Sequence, residues 1–344
     1  MNSKFLKKIF AWGIFFGAFA AAALIVGYNS FFGSAVSKQQ SIYIYPHSEY
    51  SAVVADIKSH ITNPLKSRAF DIYASHLNLE NRLKTGHYSL NEGMSVVAIV
   101  RRLALGEQTP VNLTIGGART LPQLAGKISK QIMADSAAII AAMYDRQLRA
   151  ELGYKRDSLI AMFVPNTYEV YWNTTPEKLL RRMKRESDAF WNEGRKAQLK
   201  SIGMSEYQVM TLASIVYEET KNRGEMPRIA GVYINRLNKR MPLQACPTVK
   251  YALGDFSLTR ILYRHLRVDS PFNTYRNQGL PPAPICIPSI AAIDATLNYE
   301  KSNYLYFCAK PEFDGTHNFS RTLSEHNANS RRYNEALKRL KNKK

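Results

Sequence analysis

The spacing of apolar residues separates one stretch of the chain from the rest. From Ile9 to Phe32 no position is charged, and Trp12, Phe15, Phe16, Leu24, Ile25 and Val26 fall within it. A run of that length crosses a bilayer core of about 30 Å. Beyond it, apolar positions alternate or recur at helical intervals. Ser41–Tyr45 alternates as a strand, while Tyr50–His60 and Ala69–Leu77 read as helices. Gly86–Ser95 is a strand and turn leading into a helix, with Ser95 as N-cap, Val96, Ile99, Val100 and Leu103 as the apolar stripe, and Gly106 as the stop. Val111, Leu113 and Ile115 alternate as a further strand. This segment predicts a small α+β module of β-α-β character. Leu121 to Leu152 follows as an amphipathic helical layer.

A second unit opens near Phe163–Tyr168. Pro176–Lys200 predicts a charged helix, with Arg181, Arg182, Lys184 and Arg185 solvated. Ser205 and Gln208 form a capping box at the head of the next helix. Its stripe is Val209, Leu212, Ile215 and Val216. At about 100° per residue, Glu219 lies within about 20° of Leu212 and about 40° of Ile215. Glu218 instead lies over Thr211 and Ser214. A carboxyl among apolar neighbours has its pKa raised and can hold a proton at neutral pH, as a general acid must. The plainer alternative is a solvated helix-edge acid or a capping partner. Pro227 suits the first turn of a further helix with Ile229, Val232, Tyr233 and Leu237 inward. Met241–Pro288 is a long stretch rich in Pro, Asn and Gly, and loops of that length tend to be functional. Ala291–Leu297 reads as the last helix, followed by a buried strand at Tyr304–Cys308.

Charge and cysteine content then bound the compartment. Lys4, Lys7 and Lys8 precede the apolar stretch, and no matching basic cluster follows it, which predicts a cytoplasmic N-terminus and an extracytoplasmic bulk. A cleaved signal peptide competes, because Ala18–Ala23 offers small residues. Retention is favoured because the stretch exceeds a usual signal core. The net charge is +20, part of it in Lys338, Arg339, Lys341, Lys343 and Lys344. Behind a membrane anchor, nucleic acid is a poor partner for such charge, and an anionic envelope polymer or lipid headgroups fit it better. A merely solvated basic surface fits equally well. Cys246, Cys286 and Cys308 are an odd number with no C-x-x-C spacing, and His317 and His326 lack a helical metal pattern. No metal site and no cofactor is predicted.

Several ordered motifs are similar to one family. They are Leu212–Val216 with Glu219, Glu225, Val232–Leu237, Leu243-Gln244 with Pro247–Val249, and Ser270–Tyr275. Gly279–Pro282, Tyr304–Phe307, Gly315–Phe319 and Glu325–Asn327 continue the series. Together they resemble the YceG family of endolytic murein transglycosylases, membrane-anchored enzymes that cut peptidoglycan glycan strands. Gly86-x-Tyr88, Gly93-Met94 and Leu103-x-x-Gly106 resemble the family's LysM-like module. The resemblance runs from about residue 40 to 335. It implies an α+β chain: a cytoplasmic tail at 1–8, a transmembrane helix at 9–32, a LysM-like α+β module at 40–118, a helical connecting layer at 119–160, and a mixed α/β catalytic domain at 161–340 with its acid on a helix.

Two departures stand out. Cys246 occupies the place where the family usually has Asp, and Tyr217 stands where many relatives have Glu. The second leaves Glu219 as the residue matching the family's catalytic glutamate. The resemblance implies cleavage of the MurNAc-GlcNAc β-1,4 bond within nascent strands, giving 1,6-anhydro-MurNAc ends and ending strand elongation. It places Glu225, Asn235, Gln244, Asn273, Tyr275, His317 and Asn327 around the sugar subsites. Each has a structural alternative: a helix-start acid for Glu225, a C-cap for Asn235, turn bonding for Gln244 and Asn273, packing for Tyr275. Implied partners are peptidoglycan strands, the cytoplasmic (inner) membrane and peptidoglycan synthases. The competing function is a non-catalytic, membrane-anchored peptidoglycan-binding scaffold, which has no reason to keep a desolvated acid on an apolar face. A lysozyme-type hydrolase, giving reducing ends, is a third.

Overall fold

A computed structural model describes residues 3–342. Met1 and Asn2 of the expected tail, and Lys343 and Lys344 of the basic run, lie outside the described residues. About 54% of the chain is helical. It divides into two compact units: residues up to Asn112 with Gln131–Met133 and Glu169–Thr174, and the remainder.

In the first unit α1 (Ser3–Phe32) contains the 25-residue apolar stretch Lys8–Phe32. Phe10, Trp12, Phe15, Phe16, Phe19 and Leu24 all project outward from it. It is long and apolar enough to cross a membrane. Then come β1 (Gln40–Ile44), α2 (Tyr50–Ser59), α3 (Pro64–His76), α4 (Leu79–Arg82), β2 (Gly86–Leu90) and α5 (Val96–Leu105). Helix α3 begins five residues ahead of the predicted Ala69, because Asn63 accepts a hydrogen bond from the Leu65 N–H and Pro64 is pre-set for a first turn. Ser95 caps α5 through the Ala98 N–H, and Gly106 ends it at φ 70°. The β-α-β reading needs correction. β1 and β2 pair antiparallel, with Ile42 opposite Tyr88. Alternation sets which face of a strand is buried but carries no information on direction. Ile42, Ile57, Phe70, Tyr88, Leu90, Ile99 and Leu103 form the core of this unit.

The chain continues through β3 (Val111–Ile115), α6 (Leu121–Ile128), α7 (Ser136–Tyr144), α8 (Arg146–Leu152) and β4 (Asn166–Val170), which pairs with β3. The layer from Leu121 to Leu152 is thus three helices. Asp135 and Asp145 each accept a bond from the N–H three residues on, so each starts a new helix. The Pro176–Lys200 helix likewise splits into α9 (Pro176–Phe190) and α10 (Glu193–Ile202). Asn192 caps the second, and Trp191 is buried at the break.

Helix α11 (Glu206–Glu219) is the centre of the second unit, packed by α12 (Met226–Asn238), α13 (Cys246–Leu253) and α14 (Ile290–Leu297). The capping box is complete: Ser205 Oγ accepts from Gln208 N, and Gln208 Oε1 accepts from Ser205 N. Helix α13 and a 3-10 turn at His265–Arg267 lie inside the stretch expected to be loop. After α14 come β5 (Tyr306–Ala309), β6 (His317–Ser320) and α15 (Leu323–Asn342). Helix α14 is therefore not the last. The predicted buried strand is β5, only half-buried, because β6 is its one ladder partner among the described residues.

Gly231 lets α12 approach the chain beyond α14. A Cβ there would stand 2.3 Å from the Glu300 carbonyl oxygen, which is backbone and cannot swing aside. Gly231→Ala gains about 1 kcal/mol of helix propensity but forces a backbone shift costing about 1–3 kcal/mol. We expect a lower urea midpoint for this variant. A higher midpoint would show that the approach can relax.

Candidate active site

All eight residues from Val209 to Val216 of α11 are buried. This revises the contrast drawn between its two faces. Thr211 and Ser214 are interior as well, with Thr211 bonded to the Tyr207 carbonyl and Ser214 accepting from Ile285 N. Glu218 is held by an ion pair with Arg119 at 2.8 Å. The two neighbouring acids differ in partner, and one of them has no cation in contact.

Glu219 is the final residue of α11, where the negative end of the helix dipole opposes a further negative charge. Its Oε1 accepts a 2.8 Å bond from the Tyr233 hydroxyl of α12. The side chain is enclosed by protein on most sides and open on one. Burial pushes its pKa up from 4.5 to about 7. The Tyr233 bond and the charge of Lys250 oppose that rise, and Glu218 adds a little to it. Tyr233 is itself buried, and burial beside Glu219 holds its hydroxyl well above the usual phenol range. It therefore remains a donor. Its ring meets Phe307 edge-on at 5.8 Å.

The open side faces a cavity of about 480 Å³, whose lining includes Glu219, Tyr233, Arg236, Gln244, Cys246 and Tyr275 from the helical side. Tyr306, Phe307, His317, His326 and Asn327 complete the lining, and the Tyr306 ring adjoins the Arg236 guanidinium. Among the described residues that line it, Glu219 is the one carboxylate. Cys246 Sγ lies 3.3 Å from the Tyr275 hydroxyl, and burial raises both groups' pKa values.

The residues singled out from the motifs are not all brought together. Gln244, Tyr275, His317 and Asn327 line the cavity with Glu219. Glu225 does not line it but binds His317: its carboxylate accepts from His317 N and faces His317 Nδ1, each at 2.9 Å. An acceptor there holds a proton on Nδ1 and fixes the orientation of the ring. Asn235 lies away from the cavity and donates to the Ser302 and Tyr304 carbonyls, at 2.7 and 2.9 Å, at the entry to β5. Asn273 is fully buried. It donates to the Leu266 and Val268 carbonyls and accepts from Tyr275 N, which aims the Tyr275 ring.

Sequence reasoning missed Tyr233, Arg236, Tyr306 and His326. Tyr233 was read as apolar stripe and as part of the motif Val232–Leu237, with no role at the site. Arg236, three residues after it, continues that stripe, and a charge on an apolar stripe is a signal that periodicity can give. Tyr306 and His326 stand within the quoted motifs Tyr304–Phe307 and Glu325–Asn327, but their place beside α12 comes from the fold.

The YceG-like family pattern matches residues 42–332. An endolytic murein transglycosylase of Bacillus subtilis is 32% identical over 303 residues, 83% of this chain and 82% of that protein. An endolytic murein transglycosylase of Streptococcus pneumoniae is 31% identical over 271 residues, 70% of this chain, and the chain spans only 49% of that relative's length. A solved yceG-like protein of Listeria monocytogenes superposes with a TM-score of 0.57 at 30% identity, covering 85% of this chain and 98% of that one.

The raised pKa makes stability depend on pH. The folded chain holds the Glu219 proton up to about pH 7, and the unfolded chain releases it near 4.5. This group's burial is therefore least costly below about pH 4.5, and stability falls as pH rises through 7. Above about pH 8 the ionised carboxyl costs on the order of 3 kcal/mol. Glu219→Gln, which removes the charge and keeps the shape, is expected to melt several degrees above wild type at about pH 8.5 and to match it near pH 4.5. The same difference at both pH values would place the carboxyl in an ordinary solvated setting.

Proposed function

This chain belongs to the YceG-like family, and we propose that it is a membrane-anchored endolytic lytic transglycosylase of peptidoglycan with Glu219 as its catalytic acid. The observation that carries the reading is a desolvated carboxyl, protonated near neutral pH, on the wall of a cavity that offers no second carboxylate among its described lining residues. A general acid needs the first feature. The absence of a nearby nucleophilic acid favours a mechanism other than the two-carboxylate scheme of ordinary glycosidases.

In the proposed step, Glu219 gives its proton to the glycosidic oxygen of the MurNAc-GlcNAc β-1,4 bond. The C1–O bond breaks, and the 2-acetamido group of the sugar shares the developing positive charge. Glu219, now ionised, takes the proton of the C6 hydroxyl, whose oxygen closes on C1. The 1,6-anhydro-MurNAc end forms and the acid is restored, with no water consumed. Cutting within nascent strands in this way would end their elongation.

The other residues take supporting roles. Tyr275, Gln244, His317 and Asn327 contact the sugars, with Glu225 orienting His317. Asn273 and Asn235 position the Tyr275 loop and the β5 wall. We read residues 40–118 as the LysM-like module, 119–160 as a connecting layer and 161–340 as the catalytic domain. Helix α1 anchors the chain in the inner membrane, with residues 1–8 cytoplasmic and the bulk periplasmic or otherwise extracytoplasmic. Peptidoglycan synthases are natural partners for an enzyme acting on strands as they emerge.

Digestion of purified sacculi tests the acid. Wild type is expected to release fragments ending in anhydro sugar, one water lighter than hydrolysis products, and Glu219→Gln none. Equal release by both would defeat the assignment of Glu219, and reducing ends would make the enzyme a hydrolase. Because the protonated form is active, kcat/KM should hold below about pH 7 and fall about tenfold per unit above it. Cys246→Asp restores the acid usual at this position, at the first residue of α13, where the helix dipole favours it. Its charge, facing the same cavity as Glu219, should move the upper limb of the pH profile to higher pH and leave activity at neutral pH unchanged or modestly raised. A collapse of activity would reveal a role for the thiol.

A further inference from the structure

Arg236 is a cation buried to 7% exposure on the cavity wall with no acid against it. It donates from Nε to the Pro242 carbonyl at 2.9 Å, from Nη1 to the Leu305 carbonyl at 3.1 Å, and from Nη2 to Gln244 Oε1 at 2.6 Å. All three acceptors are neutral. A guanidinium has five N–H donors, so one remains uncommitted on each terminal nitrogen. Buried guanidinium groups are ordinarily matched by a carboxylate or phosphate. The one carboxylate of the described lining, Glu219, is bonded to Tyr233 instead.

A second observation falls on the same wall. Tyr306 lies under the guanidinium, with its ring centroid 5.4 Å from Cζ. The His326 ring stacks on Tyr306 at 5.4 Å and 25°. His326 Nδ1 is buried and has no hydrogen-bond partner. His326 belongs to the first turn of α15, and Leu323, His326 and Asn327 all line the cavity. The positive end of a 20-residue helix therefore lies at this wall as well. A cation without a counter-ion, an unpartnered imidazole nitrogen and a helix N-terminus together describe a place for an anion.

We propose that the Arg236–Tyr306–His326 wall is a subsite for a carboxylate carried on the lactyl substituent of the muramic acid. This rests on the transglycosylase reading given above. The sugar backbone has no ionised group, so the carboxylate comes from the attached peptide, or from the lactyl group itself where the peptide has been removed. An anion held there would also help to keep Glu219 protonated until the bond breaks.

The test uses the full chain in detergent micelles and three strands: native peptide-bearing, the same with its carboxylates converted to amides, and peptide-stripped. Native strands are expected to exceed amidated ones in kcat/KM by roughly tenfold or more. That advantage should disappear in Arg236→Met and shrink in His326→Phe, which keeps the ring stack on Tyr306. Stripped strands matching native ones would show that the freed lactyl carboxylate fills the same subsite, and stripped strands matching amidated ones would confine the subsite to carboxylates of the peptide. Equal cleavage of native and amidated strands by wild type overturns the subsite and leaves the enzyme reading intact, whatever the variants do. Binding to Glu219→Gln separates the two claims: tighter binding of native strands with no cleavage by wild type keeps the subsite and removes the lyase.

Discussion

One hydrogen bond between a buried carboxyl and a buried phenol organises the second unit. Glu219 ends a helix that is buried all round from Val209 to Val216, and Tyr233 rises from the middle of the next helix to meet it. The bond ties the end of one helix to the middle of the next. The same enclosure lifts the carboxyl toward neutrality, while the phenol stops it rising further. A proton affinity near that of the surrounding solution comes from these two opposed effects.

The cavity is built around this pair by residues whose own hydrogen bonds go to backbone. Asn235 and Arg236 bind the carbonyls of Ser302, Tyr304 and Leu305, which fixes where β5 begins. Asn273 ties the loop that carries Tyr275, and Arg236 holds Gln244, whose backbone sits at a φ of 54°. A non-glycine residue in that conformation is held by its surroundings. Here the Arg236 bond and a backbone bond from Gln244 N to the Thr274 carbonyl hold it. Asn235 and Asn273, which do not line the site, and Arg236, which does, thus set the positions of its other residues.

Close approach is the other requirement. Gly231 admits the Glu300 carbonyl against α12, and the Arg228–Glu300 pair and the bond from Glu300 N to the Pro227 carbonyl hold that contact. The segment leading to β5 is in this way drawn onto the helix that carries Tyr233 and Arg236. Without that approach the residues lining the cavity would not stand at the same spacing.

Local chemistry was readable from the chain alone. The capping box at Ser205, the cap at Ser95 and the left-handed stop at Gly106 follow from side chains that act within a few residues of themselves. So did the apolar helix near the N-terminus, because length and composition decide it. Breaks inside helical stretches, at Asp135, Asp145 and Asn192, were missed although their capping residues are visible, because apolar spacing continues across them. The direction of β2 against β1, the depth of Thr211 and Ser214, and the meeting of Tyr233 with Glu219 were settled only by packing. The physical reason is range. Periodicity shows which side of an element avoids water, whereas the identity of the group across the gap depends on contacts between residues tens of positions apart.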